Sequence, residues 1–489
     1  MTTATPHPGL PLALPPRLAA ILAHTPELQR AYLVGGCVRD ALLGLPVKDF
    51  DIEVFGVGYD ALAKALQRWG RTDFVGRSFG VIKLTVARNT TYDFSIPRRD
   101  SKTGSGHKGF AITLDPAITP REAAARRDFT INALLYDPRR GELLDFFGGR
   151  DDLRAGVLRH TSQAFTEDPL RVLRGMQFAG RFDLRLAPET AGLCRRIKDG
   201  FRELAVERVR EEWFKWAARS RVPSAGLRVL VETGWSDHFP ELAALVGTPQ
   251  DPEWHPEGDV FTHTGHALDA LVTLPGWLAA DEESRVVYSL AVLAHDFGKP
   301  ATTQTALREG RERIVSPGHE EAGRLLTEQF LDRINAPLAS RERVLPLVAN
   351  HLVHLQPATA RSVRRLAKRL APETIQGLAL VITADSFGRP PRPRVPPEGL
   401  RSLLQVAEAL ELEAAAPKPI LKGRHLLPLG LSAGPDLGRL LDAAFEAQLD
   451  GAFSDLPGAL AWVAEQSAIE LGADVRERAR KGAMPPAPE

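Results

Sequence analysis

The spacing of apolar and polar positions changes about a third of the way along the chain. Up to about residue 150, short stretches that alternate apolar and polar residues, such as AYLVGG, KDFDIEVFG and TYDFSI, are separated by helical patterns. Alternation with a period of two is typical of half-buried strands, and apolar spacing of three or four is typical of helices. From about Thr161 long helical patterns replace the strands. The chain is therefore predicted to have an α+β fold, with a small mixed sheet followed by helices.

Breaks in this pattern divide the chain further. A Pro-rich N-terminus, predicted to be unstructured, precedes a helix from Arg17 onward, and the segments GTPQDPEWHPEGD and GRPPRPRVPPEG flank a His-rich helical region. Clusters of proline and glycine mark such boundaries. The predicted divisions are an N-terminal extension (1–30), a head with the sheet (31–160), a helical neck (161–250), a His-rich helical domain (251–395), a C-terminal helical unit (396–480) and a tail (481–489).

Composition narrows the class of protein. With 489 residues, 44% hydrophobic and 25% charged, the chain has the composition of a globular protein with several domains. The net charge of +1 means that any phosphate-binding surface must come from a local basic patch. Its two cysteines, Cys37 and Cys194, are too few for a disulfide framework or a zinc-thiolate site. No stretch has the length of a membrane span, so a soluble cytoplasmic protein without a membrane partner is expected.

The stretch KDFDIEV places carboxylates on one face of a predicted strand. Asp49, Asp51 and Glu53 alternate with apolar residues, and a half-exposed strand whose acids face water would give the same pattern. A further acid, Asp93, alternates with apolar residues in TYDFSI. Two carboxylates can hold divalent cations that activate a hydroxyl and neutralise a leaving phosphate. Together with a third acid, they favour a metal-nucleotide site.

A glycine turn precedes these acids. In LVGGCVRD, Gly35 and Gly36 separate an apolar strand from a helix, where glycine lets the backbone approach a ligand and the helical N–H groups favour phosphate. Four motifs then occur in order over about 210 residues: LVGGCVRDALLGLPVKDFDIEVFG, RRDFTINALLYD, GELLDFFGGRDDL and EDPLRVLRGMQFAGRF. In this set the chain resembles the bacterial CCA-adding tRNA nucleotidyltransferase and poly(A) polymerase family, whose head is polymerase-β-like and is joined to a helical neck.

The resemblance implies roles for matching residues. Asp49 and Asp51 correspond to ligands of Mg²⁺, and Asp93 to a third catalytic carboxylate near the primer hydroxyl. The residues that correspond to nucleotide-binding positions are Gly35, Gly36 and Arg39 around the triphosphate, and Arg127, Asp128 and Asn132 at the sugar and phosphates. The implied partners are CTP, ATP and the 3′ end of tRNA.

The EDPLR motif has two interpretations. Asp168 and Arg171 lie on one face if the segment is helical, and they could accept from the exocyclic amine and donate to the ring acceptor that C and A share. The family uses this pair to select the nucleotide. Alternatively, Asp168 before Pro169 caps the helix. Arg174, one helical step further, either reaches phosphate or faces solvent.

A basic, glycine-containing segment lies between the third acid and the next motif. It carries Arg98, Arg99, Lys102, Lys108, Arg121, Arg126 and Arg127, together with Gly104, Gly106 and Gly109. It is either a flexible basic loop without a defined role or a loop that follows the nucleotide and primer between C and A addition.

A second candidate site lies in the His-rich region. His295 and Asp296 end an almost wholly apolar helix, and buried polar groups there need partners. A single histidine is usually satisfied or exposed, but the series His263, His295–Asp296, His319, His351 and Asp385 resembles the HD phosphohydrolase superfamily. The resemblance implies a divalent metal of unknown identity on His263, His295, Asp296 and Asp385, with His319 and His351 for a second metal or phosphate. It implies hydrolysis of 2′,3′-cyclic phosphates and phosphate monoesters; a vestigial tRNA-binding scaffold is the alternative.

The sequence thus predicts a template-independent tRNA nucleotidyltransferase that adds CCA. The alternatives are a poly(A) polymerase, an enzyme that adds only CC or only A, a phosphohydrolase with an inactive RNA-binding head, and a non-enzymatic tRNA chaperone. The C-terminal segment 420–451, a Gly- and Pro-containing turn followed by an amphipathic helix, is either a tRNA-binding unit or a packing helix. The sequence does not determine the oligomeric state.

Overall fold

The computed structural model describes residues 4–6, 12–73, 80–102, 110–465 and 476–479. The chain forms two compact units, Met1–Ala243 with Arg333–Asn335, and Ala244–Asp332 with Ala336–Glu489. The described part is mixed, with one substantial sheet in the first unit and mostly helices elsewhere. The predicted α+β class is confirmed.

The first unit is built on a mixed sheet. Its described strands are β1 (Ala4–Pro6), β2 (Ala31–Val34), β3 (Asp51–Val54), β4 (Arg71–Asp73), β5 (Val81–Ala87), β6 (Thr90–Ser95), β9 (Leu135–Asp137) and β10 (Glu142–Leu144). They run in the order β1-β10-β9-β2-β3-β6-β5-β4. Outside this sheet, β7 (Arg98–Lys102) and β8 (Phe110–Leu114) form a hairpin, and β11 (Val157–Leu158) and β12 (Arg185–Leu186) form a short pair.

The predicted alternation determines which sheet face carries the acids. Ile52, Val54 and Phe94 are fully buried, whereas Asp51 reaches solvent. Strand β3 begins at Asp51, so Asp49 lies two residues before the strand and not within it as the alternation predicted. The reason is that β3 pairs with β6 only from Asp51 onward and with β2 only from Ile52 onward.

The N-terminal region differs from the prediction of an unstructured extension. Strand β1 pairs antiparallel with β10, which would otherwise be the edge strand and lack backbone partners on that side. The first helix contributes Leu18, Ile21 and Leu22 to the same apolar core as the sheet. The segment 1–30 is therefore, in its described residues, part of the head.

Helices surround this sheet and form the neck. They are α1 (Pro16–His24), α2 (Gly36–Leu42), α3 (Tyr59–Gln67), α4 (Pro120–Ala125), α5 (Gly149–Ala155), α6 (Leu170–Phe182), α7 (Pro188–Arg196), α8 (Val206–Arg219), α9 (Pro223–Glu232) and α10 (Pro240–Ala243). The neck core is aromatic, because Trp213, Trp216 and Trp235 are fully buried there. Such large rings provide much of the apolar area buried in a helical core.

The second unit is mainly helical. Its helices are α11 (Val260–Leu271), α12 (Pro275–Ala279), α13 (Glu282–Ala294), α14 (Lys299–Thr302), α15 (His319–Arg333), α16 (Leu338–Ala349), α17 (Ala360–Leu370), α18 (Ile375–Phe387), α19 (Glu398–Ala409), α20 (Gly423–Leu426), α21 (Pro435–Asp450) and α22 (Leu456–Glu465). Helices α11, α13, α16 and α18 pack on one another. The amphipathic helix predicted near the C-terminus is α21. Its Asp450 pairs with Arg361 and Arg365 of α17, and its Glu446 pairs with Lys368 of the same helix.

One element of the second unit was not predicted. Strands β13 (Gln304–Arg308) and β14 (Arg311–Val315) form an antiparallel hairpin where helix was expected. Its two-residue turn consists of Glu309 and Gly310, both with positive φ. A hairpin turn of this kind usually carries Asn-Gly or Asp-Gly, so Glu-Gly gave a weak signal. In the described residues, no helix is long and apolar enough to cross a membrane.

Candidate active site and candidate metal centre

The glycine turn of the first unit joins β2 to α2. Gly35 has φ +70°, a backbone conformation that favours glycine. A Cβ at this position would lie 2.9 Å from Nη1 of Arg127. The turn therefore brings backbone close to a guanidinium that also ion-pairs with Glu53, at 3.2 Å.

We expect Gly35→Ala to lower both stability and nucleotide use. The positive φ and the short contact to Arg127 should reduce the free energy of unfolding by about 1–3 kcal/mol. Thermal unfolding and the KM for nucleotide measure the two effects. Gly44→Ala is the matched control, because Gly44 also has positive φ but a Cβ there would meet no atom within 4 Å. A KM change of the same size in both variants would contradict a local role for Gly35.

The strand carboxylates lie side by side. Asp51 on β3 is in register with Asp93 on the parallel strand β6. Partial desolvation raises the pKa of Asp51, and the charges of Asp93, Asp49 and Glu53 raise it further against the opposing effect of Arg127. Negative charge is thus concentrated here, as a divalent cation requires. Among the described residues, Asp49, Asp51 and Asp93 do not form a group whose oxygens all lie within 4.8 Å of one another.

A buried polar network lies beside this carboxylate group. Arg39 Nη1 donates to Asn132 Oδ1 at 2.5 Å, and Asn132 Nδ2 donates to Asp128 Oδ1 at 3.0 Å. Arg174 Nε donates to Asp128 Oδ2 at 2.7 Å. Burial alone would raise the pKa of Asp128, but Arg174 and the hydrogen bond from Asn132 outweigh it and hold this pKa below its usual value. The network fixes two arginines on the wall of the site.

The structure places both members of the EDPLR pair at this wall and gives them local partners. Asp168 Oδ1 accepts the N–H of Leu170 at the start of α6, at 3.1 Å, and Oδ2 accepts from Arg208 Nη2 at 2.8 Å. Arg171 donates to the carbonyl oxygens of Ala164 and Arg126, at 2.8 and 2.7 Å. The carboxylate therefore stabilises the helix start and also faces the site. Both side chains are held in fixed orientations.

These groups line one cavity of about 480 Å³. It combines the glycine turn, one strand carboxylate, the polar network, the EDPLR pair and two residues that the sequence did not indicate. Its lining residues are Gly35, Gly36, Arg39, Asp51, Arg127, Asp128, Asn132, Asp168, Arg171, Arg174, Phe178 and Arg208. Asp49 and Asp93 are not among them. Five guanidinium groups and a nearby carboxylate cluster suit a polyphosphate bound with a cation.

Arg208 and Phe178 were missed for different reasons. Arg208 lies near the start of α8, forty residues after Asp168, so only the packing of α6 and α8 brings the two together. Phe178 belongs to an apolar helical pattern that predicts core, and its ring lies under the guanidinium groups of Arg39 and Arg174. Of the basic segment, Gly104, Gly106, Lys108 and Gly109 lie outside the described residues.

The second candidate site is a buried histidine cluster in the second unit. The Nδ1 atoms of His295, His319 and His351 each lie 2.7 Å from a backbone carbonyl oxygen. A carbonyl only accepts, so Nδ1 carries the proton, and Nε2 of the neutral ring presents a lone pair. Burial lowers the pKa of His351 to about 3, so this ring is neutral near pH 7. The hydrogen bonds thus direct three lone pairs inward.

These nitrogens converge on two buried acids. Asp296 lies 3.2 Å from His295 Nε2, 3.8 Å from His263 Nε2 and 3.5 Å from His319 Nε2. Asp385 Oδ1 lies 3.1 Å from His263 Nε2. The six residues predicted for this site are therefore neighbours. Asp296 belongs to both of the groups whose ligand atoms lie close together, His263–His295–Asp296 and Asp296–His319–His351.

The donor set fits a divalent metal. His319 Nε2 faces His351 Nε2 at 3.3 Å, and His295 Nε2 is buried without a hydrogen bond among the described residues. Lone pairs that face each other in a buried site need a proton or a cation between them. Imidazole and carboxylate are ligands of zinc, iron, nickel and manganese. Glu257 supports the set from outside, because its Oε1 accepts from His263 Nδ1 at 2.7 Å.

Burial alone would raise the pKa of Asp296, but the positive charge of Lys299 outweighs it and holds this pKa well below its usual value. Lys299 Nζ lies 2.7 Å from Asp296 Oδ2. Arg389 pairs with Asp385 at 2.6 Å. Burial alone would raise the pKa of Asp385, but the positive charge of Arg389 outweighs it and holds this pKa well below its ordinary value. Both acids are therefore carboxylates, the form that ligates a metal. Glu257, Lys299 and Arg389 were not predicted, because a lone charged residue in a helix or turn usually faces solvent.

Comparison with known proteins identifies both regions. The poly(A) polymerase head domain family matches residues 31–159, and the HD domain family matches residues 260–387. A multifunctional CCA protein of Xanthomonas campestris is 38% identical over 373 residues, which are 74% of this chain and 85% of that protein. One from Chromobacterium violaceum is 37% identical over 74% of this chain and 81% of the relative.

Solved structures share the fold. The CCA-adding enzyme of Bacillus stearothermophilus, solved with CTP, has a TM-score of 0.59 at 21% identity and covers 90% of this chain and 94% of its own. The Thermotoga maritima CCA-adding enzyme, solved with tRNA, has a TM-score of 0.55 at 19% identity and covers 91% and 94%. At such identities the likeness concerns the fold.

Proposed function

The chain belongs to the family of multifunctional CCA proteins, and on that premise we propose that its head adds or repairs the 3′-terminal CCA of tRNA from CTP and ATP, releasing pyrophosphate. It is an enzyme, a tRNA nucleotidyltransferase. The observation that carries the proposal is the cavity in which the glycine turn, Asp51 and five arginines meet. Binding a triphosphate needs such positive charge, and transfer of the nucleotidyl group needs carboxylates nearby that can hold a divalent cation.

The reaction divides among these residues as follows. The tRNA 3′-hydroxyl loses its proton and attacks the α-phosphorus of the nucleotide, and the bond from that phosphorus to the oxygen shared with the β-phosphate breaks, so that pyrophosphate leaves with this oxygen. Asp49, Asp51 and Asp93 would hold Mg²⁺, which lowers the pKa of the hydroxyl and neutralises the leaving group. Arg39 and Arg174, fixed through Asn132 and Asp128, orient the sugar and phosphates. Catalysis rests on positioning and on neutralising charge.

Nucleotide choice is assigned to Asp168 and Arg171. The contacts of Asp168 with Leu170 and Arg208 leave its carboxylate partly exposed at the cavity, and the two carbonyl bonds of Arg171 orient its guanidinium. A fixed acceptor beside a fixed donor matches the edge that C and A share and opposes that of U and G. Capping and base selection are compatible, because a carboxylate has several acceptor positions.

We expect Arg171→Lys to weaken nucleotide choice. Lysine keeps the charge but lacks the planar fork, so kcat/KM for CTP and ATP should fall about 10- to 100-fold while misincorporation of UTP and GTP rises. Single-nucleotide incorporation into tRNA with each of the four nucleotides measures this. Arg202→Lys is the control, since Arg202 is exposed and does not line the cavity. An equal loss for all four nucleotides would assign Arg171 to phosphate binding or folding instead.

The competing head activities are separated by their products. Poly(A) synthesis would extend tRNA that already ends in CCA, and a CC-only or A-only enzyme would stop early or fail to start. Incubation with tRNA lacking A, CA or CCA, followed by sizing at single-nucleotide resolution, distinguishes them. The proposal requires that each substrate is extended to CCA and that the completed tRNA is not extended.

A second activity is supported by the histidine cluster. We assign to it a metal-dependent phosphohydrolase acting on 2′,3′-cyclic phosphates and phosphate monoesters. The convergence of His263, His295, Asp296 and Asp385, with His319 and His351 adjoining Asp296, supports a bound divalent metal. Such a metal polarises phosphate and supplies a nucleophilic hydroxide. A scaffold that only binds tRNA would not need six buried polar side chains, three of them with lone pairs directed inward.

A further inference from the structure

One short segment forms part of the wall of the histidine cluster. We call residues 250–257 the rim segment. At its start Gln250 Oε1 accepts from Lys299 Nζ at 2.7 Å, and Lys299 pairs with Asp296. At its end Glu257 Oε1 accepts from His263 Nδ1 at 2.7 Å. Both ends of the rim segment are therefore anchored to groups that surround the candidate metal.

A tryptophan in the rim segment is exposed. Trp254 has 53% of its surface open, whereas Trp213, Trp216, Trp235 and Trp277 are buried. A large aromatic ring left in solvent forgoes the apolar burial that usually holds it, and its flat surface is open to stacking. The next residue, His255, packs its ring on that of His263, with the ring centroids 4.7 Å apart.

The ring of Trp254 is held in place. The Arg392 guanidinium lies over the ring, 5.1 Å from its centroid, and Nη2 of the same side chain donates to the carbonyl oxygen of Glu253. Arg313, on β14, pairs with Asp251 and Glu253. The guanidinium of Arg392 thus lies over one face of the ring, while about half of the Trp254 surface stays exposed.

From these contacts we infer that Trp254 is a stacking platform for a nucleobase. This rests on the phosphohydrolase activity proposed for the same site and names its substrate class: the terminal nucleotide of an RNA, with its phosphate at the histidine cluster and its base on Trp254. A base has a flat face that matches the free face of the ring, and stacking is insensitive to which base is present. Asp251 and Glu253 neutralise Arg313, whereas Arg392 pairs with no carboxylate among the described residues and leaves one positive charge at the rim, which suits a phosphate of the RNA.

The first test compares a substrate with a base and one without. The full-length protein loaded with Mn²⁺ is assayed on 2′,3′-cyclic AMP and on ribose 5-phosphate. Trp254→Ala should raise KM for 2′,3′-cyclic AMP about 10-fold and leave ribose 5-phosphate unchanged. Trp254→Phe should stay within about 3-fold of the wild type on both, because it keeps a stacking ring. Leu278→Ala, which alters a side chain of similar exposure, should change neither.

The second test does not depend on hydrolysis. A base stacked on tryptophan quenches its fluorescence, and no tryptophan lines the cavity of the head. Titration with AMP should therefore quench wild type and Leu278→Ala, and this component should vanish in Trp254→Phe. If wild type hydrolyses neither substrate, the phosphohydrolase proposal fails, and the quenching alone decides the role of Trp254.

Three results would overturn the inference. Equal losses on both substrates in Trp254→Ala would mean that the ring only supports the fold of the rim segment. Unchanged KM on 2′,3′-cyclic AMP would show that no base contacts it. Quenching by AMP that persists in Trp254→Phe would place the bound base elsewhere.

Discussion

Replacement of Asp51 by Asn should abolish nucleotide addition while leaving the histidine cluster active. The change removes one negative charge at the centre of a group in which Asp93, Asp49 and Glu53 already raise the pKa of Asp51, so the site loses much of its attraction for a cation. We expect kcat/KM for CTP and ATP to fall by at least about 10³-fold, which corresponds to about 4 kcal/mol. Incorporation of labelled nucleotide into tRNA ending at the discriminator base measures it.

Stability should not suffer from this change. Asp51→Asn removes repulsion between like charges, so the free energy of unfolding at neutral pH should not fall. The melting temperature of the variant should therefore equal or exceed that of the wild type. Asp73→Asn is the matched control, since Asp73 is an exposed aspartate on β4 that does not line the cavity. Residual addition above a few per cent in Asp51→Asn, with Asp73→Asn fully active, would remove Asp51 from the reaction.

The second large effect concerns Asp296, and it should be the mirror image of the first. Asp296→Asn is expected to retain nucleotide addition and to lose phosphohydrolase activity by at least about 100-fold, together with its bound metal. The reason is that Asp296 lies between the two groups of histidines, within 3.8 Å of His263, His295 and His319. Metal content per chain, measured by atomic spectroscopy, and hydrolysis of 2′,3′-cyclic AMP report the two losses.

A fold defect in Asp296→Asn must be distinguished from loss of metal. Lys299 would lose its carboxylate partner, and breaking a buried pair can cost about 3–5 kcal/mol. His295→Gln is therefore the companion variant, because it removes a lone pair without leaving Lys299 unpaired. Asp269→Asn, which changes a half-buried acid on α11 outside the histidine cluster, serves as the control. Full metal content and activity in both Asp296→Asn and His295→Gln would refute the metal centre.

The sequence predicted the chemistry of the head better than its geometry. Alternation around Ile52 and Phe94 placed Asp51 and Asp93 on one sheet face, because a strand allows only two directions for its side chains. The same rule extended the strand too far, to Asp49, since alternation contains no information on where hydrogen bonding to β2 begins. Arg208 could not be found, because a helix pattern does not show which helix packs beside it.

The histidine cluster illustrates the same limit. Residue types and their order predicted the six candidate ligands, but only the packing of the helices that carry them shows that Asp296 belongs to both groups. Glu257 is near His263 in sequence, yet its role depends on a turn that no pattern specified. The β13–β14 hairpin was missed because its Glu309-Gly310 turn needs a positive φ that glutamate rarely adopts.

The 3′ sequence that the wild-type protein makes is the most direct test of the proposed CCA addition. The protein is incubated with Mg²⁺, CTP and ATP and a tRNA that ends at the discriminator base, and the products are sequenced. The protein should add C, C and then A, with no further extension. A tail of repeated A, or arrest after CC with ATP present, would contradict the proposed CCA addition.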